Sequence, residues 1–212
     1  MQLSNSDYHA LCDLVILARE LNNQGHNSAT SGNYSLKTSD NTFQISQSGV
    51  DKAYLTPSNF LSVDAQGKIL DKLEIKGRKP SDEMKVHLGI YAKTDARCII
   101  HAHSFAALVW TETRFNKKKP LQLKGWELLK ALRGIKTHEV TVDLAVMDNT
   151  QDMDSLAQKL PDLNKNPHQW CLILRGHGIY VWGETVAEAK RHWQAYQYLF
   201  ELENQLDLHA QK

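Results

Sequence analysis

Residues 7–22 carry apolar side chains at helical spacing, with Leu11, Leu14, Val15, Ala18 and Leu21 on one face. Ser6 is placed to cap this helix and Gly25 to stop it. The pattern then shortens. Residues 33–36, 42–46 and 54–56 are β-like runs between turn residues, and 60–63 and 68–70 flank a turn at 64–67. "KPSDEMKVHLGIYAKT" opens a second helix, with Ser81 as N-cap and Met84, Leu88 and Tyr91 as its apolar stripe. Further along, the pattern predicts a strand at 98–100, a helix at 106–111, strand material within 136–144 and a short helix at 155–160. Two strands at 170–174 and 179–182 enclose "RGHG", and a long helix over 184–206 carries the stripe Ala189, Trp193, Tyr196, Phe200. Strands come in runs and helices singly between them. This predicts one α/β domain over residues 1–212, with a central, mostly antiparallel sheet flanked by helices.

Composition narrows the possible partners. The 212 residues are 42% hydrophobic and 23% charged, and 25 basic residues balance 24 acidic ones. A nucleic-acid surface would need a basic excess or stripe, and the lysine run at 117–119 is too short to supply one. No apolar run is long enough to span a bilayer, so no membrane partner is expected. The N-terminus lacks the basic and apolar regions of a signal peptide. Cys12, Cys98 and Cys171 lie in apolar segments outside CxxC spacing, as expected of buried, reduced thiols in a cytoplasmic protein.

The unusual feature is "RCIIHAHS". His101 and His103 stand two apart at the end of an apolar strand, so both rings point to the same side. They are either a chelating pair or two satisfied core histidines. His177 ends another apolar strand between Gly176 and Gly178, in a turn that could approach a ligand closely or be an ordinary β-turn. Three histidines with an open position are the pattern of a catalytic divalent metal. Glu83 and His87 share a helix face, and Glu83 reads either as a capping acid or as an acid/base or fourth ligand. "ATSGNYS", with Thr30, Gly32 and Asn33, "SQSGV", with Ser48 and Gly49, and Ser81 in "KPSDE" carry hydroxyls and free N–H groups suited to phosphate, or are plain loops. Neither a Walker A nor a GxGxxG pattern is present, so a nucleotide is not expected.

Taken in order, "TSGNYS", "SGV", "KPSDE", "HAH" and "RGHGIYVWG" resemble the class II aldolase/adducin-like family over nearly the whole chain. The resemblance implies a divalent metal, usually Zn2+, on His101, His103 and His177, and a catalytic carboxylate at Glu83. It implies a phosphate pocket from Thr30, Gly32, Asn33, Ser48, Gly49 and Ser81. Asp82 stands where the family has a second serine, and an acid there should point away from phosphate. The implied substrate is a small phosphorylated ketose and the implied assembly a homo-oligomer, usually a tetramer. "SQSGVDKAYLTPSNFLSVD" and "GHGIYVWGETVAEAKRHWQAYQYLFELE" resemble the family's dehydratase (hydro-lyase) branch of methionine salvage. The alternative is a sugar-phosphate aldolase of the fuculose-1-phosphate type. Epimerases of the family tend to carry Asp at the position of Glu83, and a non-catalytic adducin-type module would lack the histidines.

Overall fold

The computed structural model describes residues 3–71, 77–117, 119–165 and 168–210; Lys118 of the basic run lies outside them. Eight strands form one sheet: β1 (Asn33–Lys37), β2 (Phe43–Ser46), β3 (Phe60–Val63), β4 (Cys98–Ala102), β5 (Leu121–Lys124), β6 (Thr141–Asp148), β7 (Cys171–Arg175) and β8 (Gly178–Gly183). Their order is β3-β2-β1-β4-β8-β7-β6-β5. Among the described residues every strand pairing is antiparallel except β6 with β7, so the mostly antiparallel reading holds.

Among the described residues five α-helices accompany the sheet: α1 (Asn5–Asn23), α2 (Met84–Lys93), α3 (Phe105–Arg114), α4 (Met153–Gln158) and α5 (Val186–Ala210). α1, α3 and α5 pack on one face, where α5 meets β4 and β8, α3 meets β7 and β8, and α1 meets β1. α2 lies across the other face and packs against α4. One continuous core results, containing Trp110, Trp182, Trp193, Tyr180 and Phe200. Cys98 and Cys171 are buried free thiols, while Cys12 is partly exposed. Among the described residues no helix is long and apolar enough to cross a membrane.

Several boundaries differ from the sequence pattern for local reasons. Ser4, not Ser6, caps α1, accepting from the Asp7 N–H at 3.1 Å. Residues 54–56 form no strand. The Asp51 carboxylate accepts from the Ala53 N–H at 2.9 Å and winds Lys52–Tyr54 into a 3-10 turn, and Pro57 starts another. Residues 68–70 contribute only a single bridge, Val63 with Ile69. Ser81 does not cap α2: Met84 N–H bonds Ser81 O at 3.0 Å in a preceding turn, and the helix begins at Met84. β6 starts later than expected. It is joined by β5, whose pattern "LQLK" alternates buried and exposed but is too short to stand out.

His192 of α5 ties three elements together. Its Nδ1–H donates to the Trp182 carbonyl at 2.7 Å, and its Nε2 accepts from the Arg133 N–H at 3.1 Å. Burial pushes its pKa down to about 4. The ring is neutral in the fold but takes up a proton near pH 6.5 once unfolded. The unfolded chain therefore binds more protons below that pH, and stability falls as pH drops from about 6.5 to about 4, by up to about 1.4 kcal/mol per pH unit. His192→Asn keeps a donor but cannot titrate. Urea unfolding across this range should show a shallower acid loss in the variant, and equal slopes in the two proteins would refute the assignment.

Candidate active site

The pairings of the central strands build the site. Asn33 of β1 lies opposite His101 of β4, and His101 lies opposite Tyr180 of β8. Laterally paired residues point to the same face, here the face covered by α2. His103 lies one residue past the end of β4. His177 sits in the β7–β8 turn, closed by its N–H to the Leu174 carbonyl at 3.1 Å, with Gly176 at φ 65°. Gly178 next to it has no room for a side chain: a Cβ would stand 2.7 Å from the Ala102 carbonyl oxygen, 3.0 Å from His103 Cδ2 and 3.2 Å from His101 Cε1.

The three rings converge. One nitrogen from each of His101, His103 and His177 lies within 4.8 Å of the others. The hydrogen bonds decide which nitrogens are bare. His101 Nδ1–H donates to the Ile179 carbonyl at 3.1 Å, so a neutral ring leaves Nε2 as a lone pair. His177 Nδ1–H donates to Asn149 Oδ1 at 3.1 Å, which leaves its Nε2 bare as well. Burial, reinforced by the neighbouring histidines, pushes the His103 pKa down to about 4 and keeps that ring neutral near pH 7.

Glu83 faces these lone pairs. Its carboxylate stands 3.0 Å from His101 Nε2 and 3.3 Å from His177 Nε2. The 3.0 Å approach is a contact without hydrogen-bond geometry, and His101 Nε2 is buried without a hydrogen-bond partner. Lone pairs facing a carboxylate repel unless a cation lies among them. The donor set of three imidazoles and a carboxylate, with His101 and His177 each fixed by a hydrogen bond at the far nitrogen, fits a divalent metal. Glu83 also accepts from Tyr180 OH at 2.7 Å and Asn33 Nδ2 at 3.0 Å, and its side chain makes no cap to α2. Burial pushes its carboxyl up, but the neighbouring His101 and hydrogen bonds such as that from Asn33 outweigh burial and hold it well below the usual carboxylate range.

Beside the histidines lies a cavity of about 220 Å³. Thr30, Gly32, Asn33, Ser48, Gly49, Ser81, Glu83 and His103 all line it, so the separate loop motifs meet at one place. The Ser31 hydroxyl on its wall is buried without a partner. Asp82 reaches the rim but is exposed and pairs with Lys79 at 3.4 Å. Asn33 differs from the simple loop reading, because its amide is committed at both ends, to Glu83 and to His87 Nε2 at 2.5 Å. The sequence reading missed Lys52, which is only 1% exposed and lines the cavity. Its Nζ donates to the carbonyls of Thr30 at 2.8 Å and Val50 at 2.9 Å, and burial pushes its pKa down to about 8. Tyr180 was missed too. A lysine after "SGVD" looks like a surface residue, and a tyrosine inside "GIYVWG" looks like core.

Residues 12–203 match the family described as the class II aldolase and adducin N-terminal domain. The chain belongs to that family. It is 36% identical to a methylthioribulose-1-phosphate dehydratase of a Picosynechococcus strain, over 96% of this chain and 94% of that one. It is 38% identical to the enzyme of the same name from an Enterobacter strain, over 95% of this chain and 97% of that one. Among solved structures, L-fuculose-1-phosphate aldolase from Thermus thermophilus superposes with a TM-score of 0.72 at 25% identity, over 97% of both chains.

If the converging lone pairs hold a metal, purified protein should carry one divalent ion per chain. His101→Ala should remain folded by circular dichroism and lose that ion. Full occupancy in the variant would place the metal elsewhere.

Proposed function

We propose that this chain is a hydro-lyase that dehydrates 5-methylthioribulose 1-phosphate to 2,3-diketo-5-methylthiopentyl 1-phosphate. What carries this reading is the identity of 36% and 38% to dehydratases over nearly the full length of each chain, joined to an intact set of three histidines and Glu83. The fuculose-1-phosphate aldolase shares the fold at the lower identity of 25%.

His101, His103 and His177 would hold the divalent ion, which we assign as zinc. When bound, it supplies Lewis acidity that draws electrons from a ketose carbonyl and stabilises negative charge developing there. Glu83 is the acid/base. Ionised and held by Asn33 and Tyr180, it takes the proton from C3, giving an enediolate, and then delivers a proton to the C4 hydroxyl, which leaves as water. The resulting enol tautomerises to the diketone. Thr30, Gly32, Asn33, Ser48, Gly49 and Ser81 form the wall we assign to the phosphate, with Lys52 supplying positive charge behind it. Binding there is remote from the reacting bonds and positions C3 against Glu83.

The same reading places the enzyme in methionine salvage, in the cytoplasm, as a homo-oligomer, a tetramer. Exposed Leu128, Tyr198, Leu206 and Leu208 offer apolar surface in keeping with association.

The deciding experiment is product identification. Incubation with 5-methylthioribulose 1-phosphate should give the diketone and water, with no cleavage between C3 and C4. Release of a three-carbon phosphate together with a two-carbon methylthio aldehyde at a comparable rate would replace the dehydratase with an aldolase. In the same assay Glu83→Gln should keep its fold and metal and lose roughly 10²–10⁴-fold in turnover. Loss of metal in that variant would make Glu83 a ligand, and near-normal turnover would move the acid/base role to another group.

A further inference from the structure

Behind Glu83, and away from the cavity, runs a chain of buried polar groups. Asn33 Nδ2 donates to Glu83 Oε2 at 3.0 Å, and Asn33 Oδ1 lies 2.5 Å from His87 Nε2. His87 Nδ1 lies 2.7 Å from Ser35 Oγ, which lies 2.7 Å from Tyr91 OH. Asn33, Ser35 and His87 are buried, His87 completely, and Tyr91 is 5% exposed.

The direction of every hydrogen in this chain follows from its end. An ionised carboxylate only accepts, so the Asn33 amide must present its N–H₂ to Glu83 and its oxygen to His87. His87 must then carry its hydrogen on Nε2. Its Nδ1 is therefore an acceptor, and the Ser35 hydroxyl donates to it. Tyr91 OH in turn donates to Ser35 Oγ. Burial pushes the His87 pKa down to about 3, so the ring is neutral and has two tautomers to choose from. The other tautomer would reverse the chain. With hydrogen on Nδ1, the bare Nε2 would call for the Asn33 N–H₂, and the amide oxygen would turn toward the Glu83 carboxylate.

The geometry of the two elements explains why the chain closes. Glu83, His87 and Tyr91 recur every four residues along one face of α2 and the turn before it, a rise of about 6 Å per step. Asn33 and Ser35 recur every two residues along β1, a rise of about 6.6 Å. The two repeats nearly match, so helix groups and strand groups interleave.

We infer that His87 is a positioning residue for Glu83: Ser35 and Tyr91 lock it in the tautomer that turns the Asn33 amide to donate to the carboxylate. This rests on Glu83 as the acid/base of the proposed dehydration.

The test uses the full, metal-loaded protein. ¹⁵N NMR of the histidine rings should show His87 as the Nε2–H tautomer in the wild type and as a mixture in Ser35→Ala, with Ser35→Thr restoring the single form. In turnover of 5-methylthioribulose 1-phosphate, His87→Phe should lose about tenfold to a hundredfold in kcat. Its KM and metal content should stay unchanged, and His87→Gln, which keeps a donor for Asn33, should recover part of the loss. Should His87→Phe fail to fold, the Ser35→Ala and Ser35→Thr pair carries the same kcat comparison. A wild-type Nδ1–H tautomer overturns the inference. So does an unchanged kcat in Ser35→Ala and His87→Phe, or a loss that appears as raised KM or missing metal. If the wild type does not dehydrate this substrate at all, the dehydratase reading fails, and the ring tautomers still decide how Asn33 is held.

Discussion

The pairing of Asn33 with His101 and of His101 with Tyr180 is the constraint on which the site depends. It sets three side chains in a row across three strands, all facing α2. A slip of one residue in either pairing would send one of them to the opposite face, into the apolar layer under α1, α3 and α5. Two glycines guard this register. A Cβ at Gly32 would stand 2.9 Å from the His101 carbonyl oxygen and 2.3 Å from Asn27 Oδ1, and one at Gly178 would stand 2.7 Å from the Ala102 carbonyl oxygen. The strand carrying His101 is thus bracketed on both sides by backbone that comes too close for any side chain. The glycines of "TSGN" and "GHG" serve the histidines as much as they serve a ligand.

The same packing concentrates several lone pairs and buried charges in one place. His101 Nε2, His177 Nε2 and the Glu83 carboxylate meet as acceptors, and Lys52 holds a buried positive charge bonded to the carbonyl oxygens of Thr30 and Val50. Such an arrangement costs free energy unless charged ligands complete it. The rest of the fold supplies what the site does not. Trp110, Trp193, Tyr196 and Phe200 fill the opposite face of the sheet, and α5 runs across that face for 25 residues. A site of mutually repelling donors is held in place by an apolar layer that takes no part in the chemistry.

The parts legible in the sequence are those whose partners lie close along the chain. "HAH" at period two, "GHG" in a tight turn and Glu83 one helical turn before His87 each carry their own geometry, and the structure brings the three histidines together, with His101 and His177 against Glu83. The antiparallel sheet was legible from short apolar runs between turn residues. Residues 54–56 were misread because Val50, Tyr54 and Leu55 look β-like, whereas the Asp51 side chain turns the chain at Ala53. β5 was lost because "LQLK" is a strand only by virtue of its partner β6.

Lys52 and the chain behind Glu83 were not legible for a deeper reason. Their meaning lies in the match between two elements, not in either one. Asn33 and Ser35 at period two look like an ordinary half-polar strand, and Glu83, His87 and Tyr91 at period four look like an ordinary amphipathic helix face. Only when α2 lies along β1 do the two rises, each about 6 Å, bring the groups into alternation. Direction then propagates along the contact. Because one end is a carboxylate that can only accept, every hydrogen behind it is fixed, and a neutral, fully buried histidine takes part in setting how the Glu83 carboxylate is held.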